Sequence, residues 1–395
     1  MNRIVLAFFI TLLLGATACQ KDLAPLPTHS ALTGISANEI VIGSSLALEG
    51  HAGYLGTQTL HGAMSYIHHI NESGGIHGRQ LRVIHYNDGY DPPLCVLNTQ
   101  RLIIEDNVFA LFCYVGTPTT VKIIPLVQEA RIPLVGMFTG AHALREPLSR
   151  YLISVRASYY QETGAMVQHL VEKRQVRKIA VFYQYDAYGF DGLRGTELAL
   201  KQYDLVPVAT GTYVRGTLQV EEGLEKIMAA GAEAVVMIGT YEPCARFIQL
   251  ALSRDFRPIF TNVSFVGADE LCRILGPDAE GVIITQVVPP PEPRRKELRM
   301  WGAEDYVQRL KKYFPDDAPN FVSLEGYINA KVLVEGLRRA GPALDRERFI
   351  DAIESIDQLD LGIDNPLAFS PEDHQGLERV YFTIIKDGRF VWLNE

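Results

Sequence analysis

Residues 110–126 read ALFCYVGTPTTVKIIPL: an apolar run empties into Gly-Thr-Pro-Thr-Thr, and apolar residues then resume. An apolar strand that ends in small hydroxyl residues at a helix start has the makings of an anion seat. Thr117 can cap the following helix, and Pro118 suits its first position. The early amide groups, the Thr hydroxyls and the helix dipole would then face an incoming negative group. Pro125 predicts that the helix is kinked or short. A phosphate loop would need more glycine and a lysine, as in GxxxxGK[ST], and this stretch has neither; nor does any GxGxxG follow a strand. A carboxylate is the better fit, with a plain capped turn as the alternative.

Working outward, the stretch belongs to an alternation. EIVIGSSL, QLRVIHYND, FALFCYV and IPLVGMF read as strands, separated by helical patterns such as the Pro-led DPPLCVLNTQRLIIEDN. This β-α repetition predicts a parallel sheet wrapped by helices. After YLISVRASYYQE the pattern restarts with KIAVFYQ, LVPVATGTYV, EAVVMIG, RPIFTN and GVIITQVV. Helical stretches follow at about 294–314, 321–340 and 345–356, and the chain closes on a hairpin turned at Asp387-Gly388. The expected class is therefore α/β, with two doubly wound parallel-sheet lobes. A chain of 395 residues, 47% of them hydrophobic, has material for two such cores.

The first residues carry one Arg before the apolar run Ile4–Leu14, then small residues up to Cys19. This is the layout of a secretory signal over residues 1–18, and Ala16-Thr17-Ala18-Cys19 looks like a lipoprotein processing box. Cys19 would then carry lipid, and residues 19–37, rich in Pro and small residues, would be a tether. An ordinary cleavage that leaves Cys19 free is the alternative. The formal charge of −9, without a basic block, argues against a nucleic-acid partner. Four further cysteines in an exported chain suggest up to two disulfides, with three possible pairings. Cys95, in the first helical turn after the second strand, and Cys113, near the end of the third, fall at one sheet edge and make the favoured pair. Cys244 and Cys272 form a weaker candidate pair in the second lobe.

The order of motifs resembles the leucine/isoleucine/valine-binding protein family, the type I periplasmic binding proteins of ABC importers. The resemblance is carried by IGSSLALEGHAGYLGTQTLHGAMSYIHHINESGGIHGRQLRVIHYNDGYDPPLC, FALFCYVGTPTT, RIPLVGMFTGA, KIAVFYQYDAYGFDG, AVVMIGTYEP and GVIITQVVP. It implies two lobes joined by three hinge crossings, near Arg156, Thr285 and Ala368, with ligand held between them by hinge closure. Lobe one would take residues 38–156 and 286–368, and lobe two residues 157–285 and 369–395. The family's carboxylate-binding hydroxyl falls at Thr117 or Thr119, and the next strand's contacts fall at Thr139 and Ala141. The lobe-two aromatic positions fall at Tyr188 and Tyr241. The acid that meets an amino-acid ammonium aligns with Ser264, a departure that puts a standard amino acid in doubt; Glu242 or Glu49 could substitute, and otherwise the ligand would be a carboxylate without an amine, such as an aromatic acid, or a small amide. The partners implied are a small carboxylated ligand and a membrane permease, with the protein a lipid-anchored monomer outside the cytoplasm.

Other functions find little support in the residues. His61, His68, His69 and His77 do not complete a four-ligand spacing, so no metal or other cofactor is expected. No GxSxG, HExxH or P-loop signature is present, so the chain does not read as an enzyme. A ligand sensor that works with a separate receptor is the other class the resemblance admits.

Overall fold

The computed structural model describes residues 33–291 and 300–393. The expected signal peptide over residues 1–18, Cys19 and most of the expected tether lie outside the described residues. Thr33 to Ala37 do not hang free of the fold as a tether would: the Gly34 carbonyl accepts the Val41 N–H at 2.8 Å.

Buried strands alternating with amphipathic helices build the first lobe. In chain order these are β1 (Glu39–Leu46), α1 (Gly53–Glu72), β2 (Gln80–Asn87), α2 (Pro92–Ile104), β3 (Ala110–Phe112), α3 (Thr117–Ala130), β4 (Leu134–Val135) and β5 (Leu152–Ile153). Their sheet is parallel throughout, in the order β2-β1-β3-β4-β5. The second lobe continues with α4 (Tyr159–Gln168), β6 (Ile179–Gln184), α5 (Ala187–Lys201), β7 (Thr210–Tyr213), α6 (Glu221–Ala229), β8 (Ala234–Ile238), α7 (Tyr241–Ser253), β9 (Ile259–Asn262), α8 (Ala268–Leu275) and β10 (Ile283–Gln286). The chain then returns to the first lobe with α9 (Trp301–Tyr313), α10 (Phe321–Ala340) and α11 (Arg346–Glu354). It ends in β11 (Tyr381–Lys386) and β12 (Arg389–Trp392). These two add antiparallel to a second sheet ordered β12-β11-β10-β9-β8-β6-β7.

Close approach of α10 to α1 locks the returning helices onto the first lobe. A methyl group on Gly62 would lie 1.8 Å from the Ser323 carbonyl oxygen, and one on Gly326 would lie 2.1 Å from that of Thr59. Only hydrogen at both positions lets the two backbones touch. The first and third passages between lobes run side by side. Ser154 donates to the His374 carbonyl at 2.9 Å, and the N–H groups of Gly376 and Leu377 donate back to Ser154 and Val155 at the same distance.

Two local expectations need correction. Gly116, at φ 95°, occupies the cap position of α3, so Thr117 is its first helical residue rather than its cap. Of the expected kinked or short helix, the short form is ruled out, since α3 runs through Pro125 for 14 residues. A proline removes one backbone donor, and the tertiary packing of α3 outweighs that loss.

Candidate functional site

The carboxyl ends of parallel strands and the helix starts beyond them are where an open α/β sheet offers a binding surface. Here the two lobes present those edges to each other, and they touch. The Tyr54 N–H meets the Tyr241 hydroxyl at 3.4 Å, and Gln184 Nε2 meets the Tyr90 hydroxyl at 3.4 Å. Two lobe-two carboxylates accept lobe-one backbone donors: Asp191 from the His142 N–H at 3.0 Å, and Asp269 from the Phe321 N–H at 3.2 Å. Burial raises the carboxyl of Asp191 to about 6 and that of Asp269 to about 7.

At the centre of this interface the Thr117 and Thr139 hydroxyls lie 2.7 Å apart, both buried. The Ala141 N–H points to the Thr139 hydroxyl at 3.3 Å. The first intrahelical bond of α3 is Thr120 to Gly116, so the N–H groups of Thr117 and Thr119 precede the helical ladder. Thr119 itself contributes no side-chain donor, because its hydroxyl bonds the carbonyls of Val115 and Gly116 at 2.7 and 2.9 Å. Thr117, Thr139 and Ala141 thus come together, while the Thr119 hydroxyl turns back on its own helix.

Five buried rings surround this point. Tyr90 lies against Gly116, where a Cβ would meet its ring at 2.1 Å, and Tyr159 lies against Gly140 at 2.7 Å. Phe265 bridges the lobes, with ring centroids 6.1 Å from Tyr90, 5.5 Å from Phe138, 6.4 Å from Tyr159 and 4.8 Å from Tyr188. Tyr188 is therefore part of the central cluster. Tyr241 is not among these rings; it packs edge-on against Tyr54 at the start of α1.

Ser264 does not stand open to a ligand. It is knitted into a buried charge cluster around Arg156, which is only 1% exposed. Arg156 donates to Glu162 at 3.0 Å, to Glu325 at 3.4 Å and to the Ser264 hydroxyl. Glu162 also accepts the Ser264 N–H at 2.8 Å and the Thr285 hydroxyl at 2.6 Å. Burial pulls the guanidinium down, but Glu325 and Glu162 outweigh it and hold Arg156 charged. Burial raises the Glu325 carboxyl to about 7 against the pull of Arg156. Glu49 and Glu242, the possible substitutes for a missing acid, are both exposed.

The expected disulfides do not form: among the described residues Cys95, Cys113, Cys244 and Cys272 are all free thiols. Cys113 takes φ 52°, which ends β3 and turns its sulfur to Asn329 of α10 at 3.8 Å. The Cys95 thiol instead faces Ser45, Asp88 and Thr99. Cys244 is buried beside Gly239, while Cys272 is partly exposed on α8. Nor do the histidines gather: His61 pairs with Asp317 at 2.6 Å, and His77 meets the Arg338 carbonyl. Among the described residues, no group of His, Cys, Asp and Glu is arranged to hold a metal, and no helix is long and apolar enough to cross a membrane.

Sequence reading missed Tyr159, Phe265, Arg156 and Glu325. One signal was available for Tyr159. Ser158-x-x-Gln161 is a capping box, with the Ser158 hydroxyl accepting the Gln161 N–H and Gln161 Oε1 accepting the Ser158 N–H. That box places Tyr159 at the first position of α4, at the sheet edge. Its N–H donates to the Gly140 carbonyl at 2.8 Å.

Two lobes with mostly parallel sheets, edge facing edge, and a three-stranded path between them define the type I class of periplasmic binding proteins. The chain belongs to the periplasmic binding protein family, which it matches over residues 39–389. It is similar to the Leu/Ile/Val-binding protein homolog 7 of Brucella suis biovar 1 (strain 1330), at 23% identity over 86% of this chain and 87% of that one. Its fold is shared with a possible leucine/isoleucine/valine-binding protein from Rhodopirellula baltica SH 1, at 35% identity and TM-score 0.86 over 93% of this chain and 98% of that one. A substrate-binding periplasmic protein from Ralstonia solanacearum matches at 28% identity and TM-score 0.81, over 88% and 97%. The family is one of periplasmic, and so extracytoplasmic, binding proteins.

Proposed function

We propose that this chain is the lipid-anchored, solute-binding component of an ABC importer, and that it holds a small carboxylated ligand between its lobes. Lobe one, residues 38–156 and 286–368, engages the carboxylate first. Lobe two, residues 157–285 and 369–395, closes over it and brings up Tyr188. The single observation that carries the reading is the paired Thr117 and Thr139 hydroxyls at the start of α3. Two hydroxyls that share one hydrogen bond leave one O–H free to donate, and the amides of Thr117 and Thr119 add two more donors. Such a set suits an oxyanion. Closure is favoured only as far as the ligand binds the closed form better. No bond is made or broken.

The test is calorimetric titration with a panel of amino acids, carboxylic acids and small amides, on the wild type and on Thr117→Val combined with Thr139→Val. Each lost hydrogen bond to a charged group is worth about 1.5–3 kcal/mol, so the double variant should bind at least about tenfold more weakly. Its thermal midpoint should stay close to that of the wild type. Equal affinity in the two proteins would remove the seat.

A further inference from the structure

Resting on that reading, we infer that the ligand is a carboxylate with an apolar, ring-sized body and no ammonium group, and that the Tyr159 hydroxyl is a direct donor to it. Three observations lead there. The first is the Tyr159 hydroxyl itself, which is fully buried, lies beside the Thr139 side chain and makes no well-aligned hydrogen bond among the described residues. A buried phenol O–H normally finds an acceptor, and leaving it without one is costly. The ring is fixed by the capping box at Ser158, by the Tyr159 N–H bond to Gly140 and by contact with Gly140 itself, which adjoins Thr139. Burial pushes its titration well above the ordinary phenol range, so it remains a donor. Arg156 Nε, on the guanidinium whose carbon lies 5.7 Å from the Tyr159 ring, is a second buried donor without a partner.

The second observation is the commitment of the neighbouring acids. Glu162 accepts from Arg156, Ser264 and Thr285, and Glu325 from Arg156. Asp88 is held by the Ser45 hydroxyl at 2.8 Å and the Tyr90 N–H at 2.9 Å. Asp186 is held by Gln184, the Tyr188 N–H and Arg215. An ammonium brought here would have to compete with these donors or remain unpaired, and an unpaired buried charge is strongly unfavourable. The third is the set of rings Tyr90, Phe138, Tyr159, Tyr188 and Phe265, which presents flat apolar surface around the hydroxyls and suits a ring or a branched apolar body.

Two probes separate the ideas: 3-phenylpropanoate and phenylalanine share their ring and carboxylate and differ by the ammonium alone. Calorimetric titration of the wild type should give binding of 3-phenylpropanoate at least about a hundredfold tighter than phenylalanine. Tyr159→Phe keeps the ring and should weaken 3-phenylpropanoate roughly tenfold or more, with a ligand-free thermal midpoint no lower than that of the wild type. Thr139→Val, read against the same acid, serves if Tyr159→Phe does not fold. Binding of phenylalanine or leucine as tightly as the acid would overturn the inference while leaving the solute-binding reading intact. So would undiminished affinity in Tyr159→Phe. Absence of binding by every acid, amino acid and amide in the panel would overturn both.

Discussion

Asp269 sits at the lobe interface with its carboxylate against the first N–H of α10 and no cationic partner among the described residues, and replacing it tests whether burial sets its chemistry. An ordinary aspartate titrates at 3.8, whereas burial raises this one to about 7. The folded carboxyl therefore holds its proton to higher pH than the unfolded one. Folding takes up a proton between roughly pH 4 and pH 7, and stability falls as pH rises through that window. Each pH unit of difference is worth about 1.4 kcal/mol, so the whole contribution is at most ~4 kcal/mol. Roughly half to two-thirds of it, on the order of 2 kcal/mol, is lost between about pH 5 and pH 8. Asp269→Asn keeps an oxygen for the Phe321 N–H and removes the titration. Thermal midpoints of the two proteins across this range should diverge, the variant gaining a few degrees over the wild type at the alkaline end relative to the acidic end. Asp88, Asp191 and Glu325 are also raised by burial, but they titrate in both proteins and cancel in the difference. A difference that is flat with pH, or that favours the wild type at high pH, would refute the reasoning.

Two further outcomes are expected. Arg156→Met would strand Glu162 and Glu325 in the interface and should cost about 3–5 kcal/mol, read as a loss of denaturation midpoint; a loss below about 1 kcal/mol would mean that the cluster is not buried as described. The free state of Cys95, Cys113, Cys244 and Cys272 predicts that reductant leaves the thermal midpoint unchanged. It also predicts that all four react with a thiol reagent after denaturation without reduction, and fewer titratable thiols would restore a disulfide.

Long periodic segments were legible in the sequence for a physical reason: their pattern is local. Helix α10 covers residues 321–340, as its apolar spacing predicts, and the final hairpin turns at Asp387 and Gly388, both at positive φ. The seat was legible in part, since Gly-Thr-Pro-Thr-Thr announces a strand-to-helix edge. Which hydroxyl faces outward depends on Gly116 taking the cap, and that shift of one position turned Thr119 inward. The disulfide expectation failed because sheet-edge proximity says nothing about χ1 or φ, and Cys113 adopts a left-handed backbone. The Arg156 cluster was invisible because its members come from segments as far apart as residues 156 and 325. No spacing rule connects groups that meet only through tertiary packing.

The side-by-side first and third passages have a mechanical consequence. Because Ser154 and Val155 are laced to residues 374–377 by backbone bonds, these two links form one short ribbon. A ribbon flexes readily across its flat face and resists shear in its plane. Two of the three passages thus act as one unit, and a unit of that shape favours swinging about its edge over sliding. A guided face meets its partner in one register, the one in which Asp191 and Asp269 reach the N–H groups of His142 and Phe321.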